Sequence, residues 1–452
     1  MMNLIIKNGK IVLPDCTIEA AIAIDEGKIA AIGSNAMMPR GERTIDAEGK
    51  FVLPGGVDPH DHTRREGWLK GTKTTSWGGT TTIIGFVRGG LKEVREHRVK
   101  ADSEVAVDYS VHATLNNIAP DTQEIIGEIK RLIEYGVPSF KLFMVYANPA
   151  DDNTVLKVLE ACRAYGGLLC LHAENNAMIE YNRAEALRRG HREAIYHART
   201  RPPITEAEAV NMATYLSGYL NAPYMNMHLS IREGVDLLRE ARRKGAPVYG
   251  ETCTHYLCRT EEDLTGPRGI YYICTPPLRT REHIESLWDG IEDGTLSVVS
   301  SDHVGLTTGM KEGKEDFTQV PNGLPGHEFR LPILFSEGVA KGRISVNRLS
   351  EVFSTNPAKI YGLYPKKGLI NIGSDADLVI LDPKMEKTIT TELSPDANDW
   401  SPYEGMEVKG WPTMTISKGK VIWEDGEFQG EQGDGEFLKR RLPRSLFEGP
   451  MA

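Results

Sequence analysis

Six side chains able to bind metal ions stand at the ends of short apolar runs along one long stretch of this chain. His60 and His62 lie in Gly55-Gly56-Val57-Asp58-Pro59-His60-Asp61-His62, Lys141 in Ser139-Phe140-Lys141-Leu142-Phe143-Met144, and His172 in Leu168-Leu169-Cys170-Leu171-His172. His228 follows Met225-Asn226-Met227, and Asp302 follows Val298-Val299-Ser300-Ser301. Each run has the length and apolar character of a strand buried on both faces, as in a parallel sheet. Polar groups gathered at the carboxyl ends of successive strands are the active face of a (β/α)8 barrel. The pattern therefore constrains the fold and the chemistry together: a barrel built around a metal-dependent hydrolytic centre.

The rest of the stretch alternates in the same way. Strand candidates end near His62, Phe86, Thr114, Met144, Glu174, Ser230, Cys253 and Asp302, with helical patterns between them, such as Thr122 to Tyr135 and Ile231 to Lys244. Eight such units over about 310 residues fit a (β/α)8 barrel with insertions. Asn175 to Ala209 is long for a plain connection and predicts an extra helix. Residues 303–328, rich in glycine and charge, predict a long loop over the mouth.

The two ends of the chain follow another rule. Ile6-Lys7-Asn8-Gly9-Lys10-Ile11, Ile24-Asp25-Glu26-Gly27-Lys28-Ile29 and Ile416-Ser417-Lys418-Gly419-Lys420-Val421 each place a glycine turn between strand fragments, a hairpin signal. Asp375 to Leu381 adds another strand. Residues 1–51 and 366–430 are therefore expected to join into one small β-sandwich, interrupted by the barrel at 52–365 and followed by a tail at 431–452. The basic run Lys439-Arg440-Arg441-Leu442-Pro443-Arg444 in that tail reads as solvated or subunit-contacting.

Composition excludes other classes. A formal charge of −10 over 452 residues offers no general footprint for nucleic acid. No apolar run approaches the ~20 residues that span a bilayer. The N-terminus lacks a signal peptide's apolar core, and the six cysteines form no CxxC pair. Cys162, Cys170, Cys253 and Cys274 fall in apolar segments and read as buried thiols. A soluble cytoplasmic protein is expected.

Imidazole and carboxylate ligands suit zinc and do not discriminate it from manganese or cobalt. A His-x-His pair on a strand would point both rings to one face. Taken singly, each of these histidines could equally be a hydrogen-bonded core residue; the joint pattern at strand ends is what argues for ligands. Lys141 is the most diagnostic. An ammonium beside two divalent ions would be repelled and desolvated, so the position makes sense if its amine has reacted with carbon dioxide to give a bridging carbamate.

These residues resemble the cyclic amidohydrolases of the amidohydrolase superfamily: hydantoinase, dihydropyrimidinase, allantoinase and dihydroorotase. The resemblance runs from the N-terminal hairpins to about residue 425. It also rests on Gly78-Gly79-Thr80-Thr81, His172-Ala173-Glu174-Asn175, Arg201-Pro202-Pro203, Glu251-Thr252-Cys253-Thr254-His255-Tyr256, Thr275-Pro276-Pro277-Leu278-Arg279 and Asn356-Pro357-Ala358-Lys359. Ser139 to Met144 with Tyr146 looks most like hydantoinase and dihydropyrimidinase.

The resemblance implies two zinc ions per chain, with His60, His62, Asp302 and N6-carboxylated Lys141 around one and the same Lys141, His172 and His228 around the other. It implies a bridging hydroxide, available near neutral pH because metal binding lowers the pKa of water to roughly 7. Tyr146 would donate to the oxyanion, a term worth ~3 kcal/mol. Asp302 would act as base and then acid. Thr275 and Asn322 would hold the cyclic amide, and the chains would assemble as dimers or tetramers. Two alternatives stay open: allantoinase or another hydrolase of polar or anionic ureides or imides, and a non-catalytic scaffold of the collapsin response mediator type. The scaffold relatives lack the metal ligands, whereas all six positions are filled here. Arg64 stands two after His62, where dihydroorotases carry an arginine for the substrate carboxylate, but the companion asparagine after the second strand is absent. With Arg65 and Arg88 it would make the pocket mouth cationic.

Overall fold

In a computed structural model the chain is described at residues 1–65, 67–116, 122–394 and 398–449, except for the side chains of Arg64 and Thr122. Eight parallel strands form the central sheet: β1 (Gly56–Asp58), β2 (Thr80–Arg88), β3 (Asp108–Thr114), β4 (Ser139–Phe143), β5 (Leu168–His172), β6 (Tyr224–Asn226), β7 (Val248–Cys253) and β8 (Leu296–Ser300). Each is hydrogen-bonded to the next in chain order. The seam between β8 and β1 is closed just beyond the strands, where Asp61 and His303 form a parallel bridge and the His62 N–H donates to the His303 carbonyl at 2.9 Å. All seven residues of β3 and all six of β7 are buried, as expected of strands covered on both faces. Helices 122–135 and 232–243 lie where the sequence places them, and the long β5 connection carries helices 176–188 and 195–199 before helix 203–220.

The second unit is one nine-stranded sheet made from both chain ends. Strand Met2–Val12 pairs antiparallel with Thr17–Asp25 and parallel with Gly41–Asp46 and Phe51–Pro54. Leu378–Thr388 pairs antiparallel with Phe51–Pro54 and so joins the halves. Its apolar core includes Leu4, Ile22, Ile24, Val52, Ile380 and Ile416. The hairpin at Glu26-Gly27 has positive φ at both central residues (47° and 75°), and Lys418-Gly419 repeats this (46° and 77°), the tight-turn geometry expected. The expected hairpin at Gly9 is instead a bulge within one continuous strand. There Asn8 takes φ 59°, and a Cβ on Gly9 would come within 2.7 Å of the Val52 side chain; glycine serves close strand approach, not a turn.

A buried ion cluster ties the two units together. The Lys367 ammonium, 1% exposed, lies 2.6 Å from Asp108 at the start of β3, 2.9 Å from Asp375 and 2.6 Å from Asp377. Lys418 adds a second cation 3.0 Å from Asp108.

The tail corrects an expectation. Arg440 is neither solvated nor free: it is 3% exposed and donates to Ser110 Oγ at 2.8 Å, Val111 O at 2.5 Å and Ser139 Oγ at 2.8 Å. Leu438, Leu442 and Leu446 pack with Val57, Ile84, Cys170, Met225 and Val298 in one apolar cluster. The Tyr249 hydroxyl donates to the Gly449 carbonyl at 3.0 Å. The segment is a plug in the amino-terminal end of the barrel, and Arg440 is tolerated there because backbone and hydroxyl oxygens satisfy its guanidinium.

All six cysteines are free, and Cys162, Cys170, Cys253 and Cys274 are buried. Among the described residues no helix is long and apolar enough to cross a membrane.

Candidate metal centre

At the carboxyl ends of the strands a cavity of about 620 Å³ is lined by His60, His62, His172, His228, Asp302, Tyr146, Thr275 and Asn322, among others. β1 stops at Asp58, so His60 and His62 stand in the loop beyond it and not on a strand. They converge all the same. One donor atom each from His60, His62 and Asp302 lies within 4.8 Å of the others. His60 Nε2 is 3.0 Å and His62 Nε2 3.5 Å from the same Asp302 oxygen. His228 lies between the two sides of the site, its ring centroid 5.3 Å from that of His60 and 4.4 Å from that of His172.

Lys141, in the middle of β4, reaches into this group from below. It is fully buried, with Nζ 3.4 Å from His228 Nε2 and 3.1 Å from Met227 Sδ. Burial depresses its pKa to about 8, against the more distant pull of Glu251 and Asp302. Among the described residues it has no carboxylate in contact, an unusual state for a buried cation.

The carboxylates that orient the rings carry no functional role in the sequence reading, although Glu251 and Glu174 fall within quoted motifs. His60 Nδ1 and Glu251 Oε1 lie 2.7 Å apart, and Glu251 Oε1 also accepts the His228 N–H at 3.3 Å. His172 Nε2 donates to Glu174 Oε2 at 2.7 Å, and Arg201 braces the same oxygen at 3.3 Å. Fixing one ring nitrogen leaves the other presented as a lone pair, the usual support of a metal-binding histidine. A third buried pair, Asp61 Oδ2 with His327 Nδ1 at 2.7 Å, lies beside the seam between β8 and β1, with the His303 ring stacked on His327 at 3.7 Å.

The electrostatics suit ligation. Burial keeps His62, His172 and His228 below the ordinary imidazole pKa, so they are neutral at pH 7. His60 is the exception: burial would lower it, but Asp302 and Glu251 raise it to about 9. Asp302 is a carboxylate, since His60 and its neighbours outweigh the burial that would raise it. Cys253 and His255 also approach Asp302, but burial pushes the Cys253 thiol well up, away from the thiolate a metal needs. The donor set thus fits a metal ion at His60, His62 and Asp302, with the imidazoles of His172 and His228 on the other side of a buried amine that has no carboxylate in contact among the described residues.

Tyr146, His228 and Asp302 all take positive φ (75°, 42° and 45°), a backbone region non-glycine residues rarely enter and one associated with functional sites. Tyr146 is held by Asn116, whose amide donates to Phe143 O and Asn148 O and accepts from Phe143 N, pinning the loop on both sides of the tyrosine. Although 46% of Tyr146 is accessible from the open cavity, enclosure by the walls raises its phenol to about 12, so it remains a proton donor. Thr275 is 7% exposed, with Oγ1 3.2 Å from His197 Nε2. Asn322 lies on the rim with Gly323. The Arg64 side chain lies outside the described residues.

Fold and site together define a (β/α)8-barrel protein with a histidine-rich centre on its carboxyl-terminal face. Residues 51–422 match the amidohydrolase family. The chain is 40% identical over 459 residues to a D-hydantoinase of Geobacillus stearothermophilus, with 97% of each chain covered. It is 38% identical over 457 residues to a D-phenylhydantoinase of Escherichia coli, covering 97% of this chain and 98% of that one. A solved D-hydantoinase superposes with a TM-score of 0.93 at 40% identity, over 97% of this chain and 99% of that one. A dihydropyrimidinase from Brevibacillus agri superposes with a TM-score of 0.93 at 37% identity, over 98% and 99%. The chain belongs to the amidohydrolase family.

Proposed function

We propose that this protein is a binuclear-metal hydrolase that opens the amide bond of a cyclic amide or ureide ring, a 5-substituted hydantoin or a dihydropyrimidine. The observation that carries this reading is the convergence of His60, His62 and Asp302 on one side and His172 and His228 on the other of a buried Lys141 that has no counter-ion among the described residues. Near-full-length likeness to D-hydantoinases and a dihydropyrimidinase supports the ring-opening reaction. His60, His62, Asp302 and N6-carboxylated Lys141 would hold one ion, and Lys141, His172 and His228 the other. Zinc is favoured by ligand type, with manganese and cobalt compatible. When bound, the ions supply a water acidified toward neutral pH and an electrophile for the ring carbonyl.

The chain's own groups do the rest. The Asp302 carboxylate accepts the proton from the attacking water and delivers it to the leaving ring nitrogen, so base and acid are one group at one place. The Tyr146 hydroxyl donates to the carbonyl oxygen as charge gathers on it. Thr275 and Asn322 hold the amide of the ring. In the homo-oligomer expected from family resemblance, Tyr181, Tyr215 and Tyr219, exposed on two outer helices, offer aromatic surface for subunit contact.

The test is kcat/KM on dihydrouracil, neutral 5-substituted hydantoins, allantoin, dihydroorotate and a cyclic imide, together with metal analysis. Ring opening of a hydantoin or dihydrouracil with about two ions per chain is expected; a folded, metal-loaded protein that opens none of these rings sinks the reading. A second expectation concerns pH. His60 carries a proton below about 9 in metal-free protein, and an ion must displace it. Apparent affinity for the ion should therefore rise at least about tenfold per pH unit between 6 and 8, with His60 contributing one of the protons released on binding. Titration calorimetry in buffers of different ionisation enthalpy measures this, and binding that releases no proton removes His60 from the ligand set.

A further inference from the structure

Two arginines at the cavity mouth have no place in the chemistry above. Arg88 ends β2, which runs two residues beyond the Phe86 at which the sequence reading stops it, and Arg65 lies in the short helical turn 63–65 after β1. Both are exposed, and both line the cavity that holds His60, His62 and Asp302. Among the described residues, the acidic ones lining that cavity are Asp61, buried against His327, and Asp302 in the centre itself.

Among the described residues neither arginine makes an ion pair. The acids nearest Arg88 are engaged elsewhere: Glu93 accepts the Gly90 N–H at 2.8 Å, and Glu96 lies 3.9 Å from Lys92. Arg65 is in electrostatic contact with its surroundings. Burial lowers its pKa first and the like charge of Arg88 next, while Tyr146 and Asp302 pull it back up. Two guanidiniums therefore share one rim within reach of the reaction centre. Like charges held together without a partner are costly in a protein and favourable once an anion lies between them.

We propose that Arg65 and Arg88 form a carboxylate-binding wall, so that the preferred substrates are cyclic amides whose ring substituent is anionic. The proposal rests on the ring-opening function above and names the substrate class within it. A planar guanidinium matches a carboxylate with two parallel hydrogen bonds, and two such groups fix the substituent while leaving the ring amide to Thr275, Asn322 and Tyr146.

The test uses the full-length, metal-loaded protein and a matched pair, 5-(2-carboxyethyl)hydantoin and its neutral carboxamide. The acid should have the higher kcat/KM by roughly tenfold or more, and Arg65→Gln and Arg88→Gln should each cut the acid-to-amide ratio by about tenfold. The loss should appear in KM for the acid, and the wild-type preference should shrink as salt screens the exposed rim. Arg88→Lys, which keeps the charge, should retain part of it. Equal or faster turnover of the carboxamide by the wild type, or a ratio unmoved in both glutamine variants, overturns the proposal. If neither ring is opened, the hydrolase reading itself has failed.

Discussion

Lys141→Ala is expected to lower kcat/KM for ring opening by about 10³-fold, the scale of losing a principal electrostatic group, and to leave the protein folded with fewer bound ions. The argument starts from the environment of the amine. Lys141 is fully buried on β4, with imidazole and thioether neighbours and, among the described residues, no carboxylate in contact. With its pKa lowered to about 8, about a tenth of the amine is unprotonated at pH 7, enough for reaction with carbon dioxide. The ammonium first gives up one proton; the neutral nitrogen then forms a bond to the carbon of CO₂ and releases a second, so that a buried positive charge becomes a buried negative one between the two imidazole groups. Protein prepared with ¹³C-bicarbonate should show a carbamate carbon resonance that the alanine variant lacks. Acetate or propionate should restore part of the variant's activity by placing a carboxylate in the space left by the side chain. A variant that keeps both its ions and its rate would remove Lys141 from the centre.

The second large effect is on stability and comes from a lysine in the opposite situation. Lys367 is as buried as Lys141 but touches three carboxylates, Asp108 from the barrel and Asp375 and Asp377 from the segment leading into the sheet. Lys367→Met removes the central cation and leaves Lys418 beside Asp108 and Lys28 and Lys366 beside Asp375, while among the described residues Asp377 loses its ion-pair partner. A loss of about 3–5 kcal/mol is expected, the range for breaking a buried ion pair on one side. Burial would raise Asp108 and Asp375, but Lys367 outweighs it and holds both below their ordinary values. They therefore bind fewer protons folded than unfolded. Their stabilisation is present at neutral pH and lost as pH falls through the folded values. The variant's deficit should accordingly be largest near pH 7 and shrink toward pH 4. Denaturant midpoints across that range check it, and a deficit independent of pH would mean that packing, not charge, is what Lys367 contributes.

The contrast between the two lysines marks what could be read from the sequence. Lys141 was legible because its partners follow apolar runs whose ends the periodic strand pattern places on one rim, although Lys141 itself stands mid-strand and reaches that rim from below. Lys367 was not, because Asp108 is 259 residues away and no local pattern connects them. The same holds for Glu251, 191 residues from the His60 ring it orients, and for the Asp61–His327 pair, 266 residues apart. Contacts across that distance belong to barrel closure or to the joining of the two units, and leave no periodic trace. Arg440 differs. Leu438, Arg440 and Leu442 are buried while Lys439 and Arg441 are exposed, an alternation of period two in plain view. The basic residues obscured it, since a charged side chain on the buried face of an extended segment is read as solvent-facing unless its acceptors are known.

The plug formed by Leu438, Arg440, Leu442 and Leu446 also bears on how the protein is made. The nine-stranded sheet needs strands from both ends of the chain, and the floor of the barrel needs residues near 440. While the ribosome is still synthesising the barrel, its nascent strands therefore have neither floor nor completed neighbouring sheet. Final closure of both units must wait until the residues near 440 have been released. That delay exposes long apolar strands for the time it takes to add several hundred residues at ~5–20 per second. A nascent chain of this design gains the floor of its barrel only once the segment at 438–446 has been made.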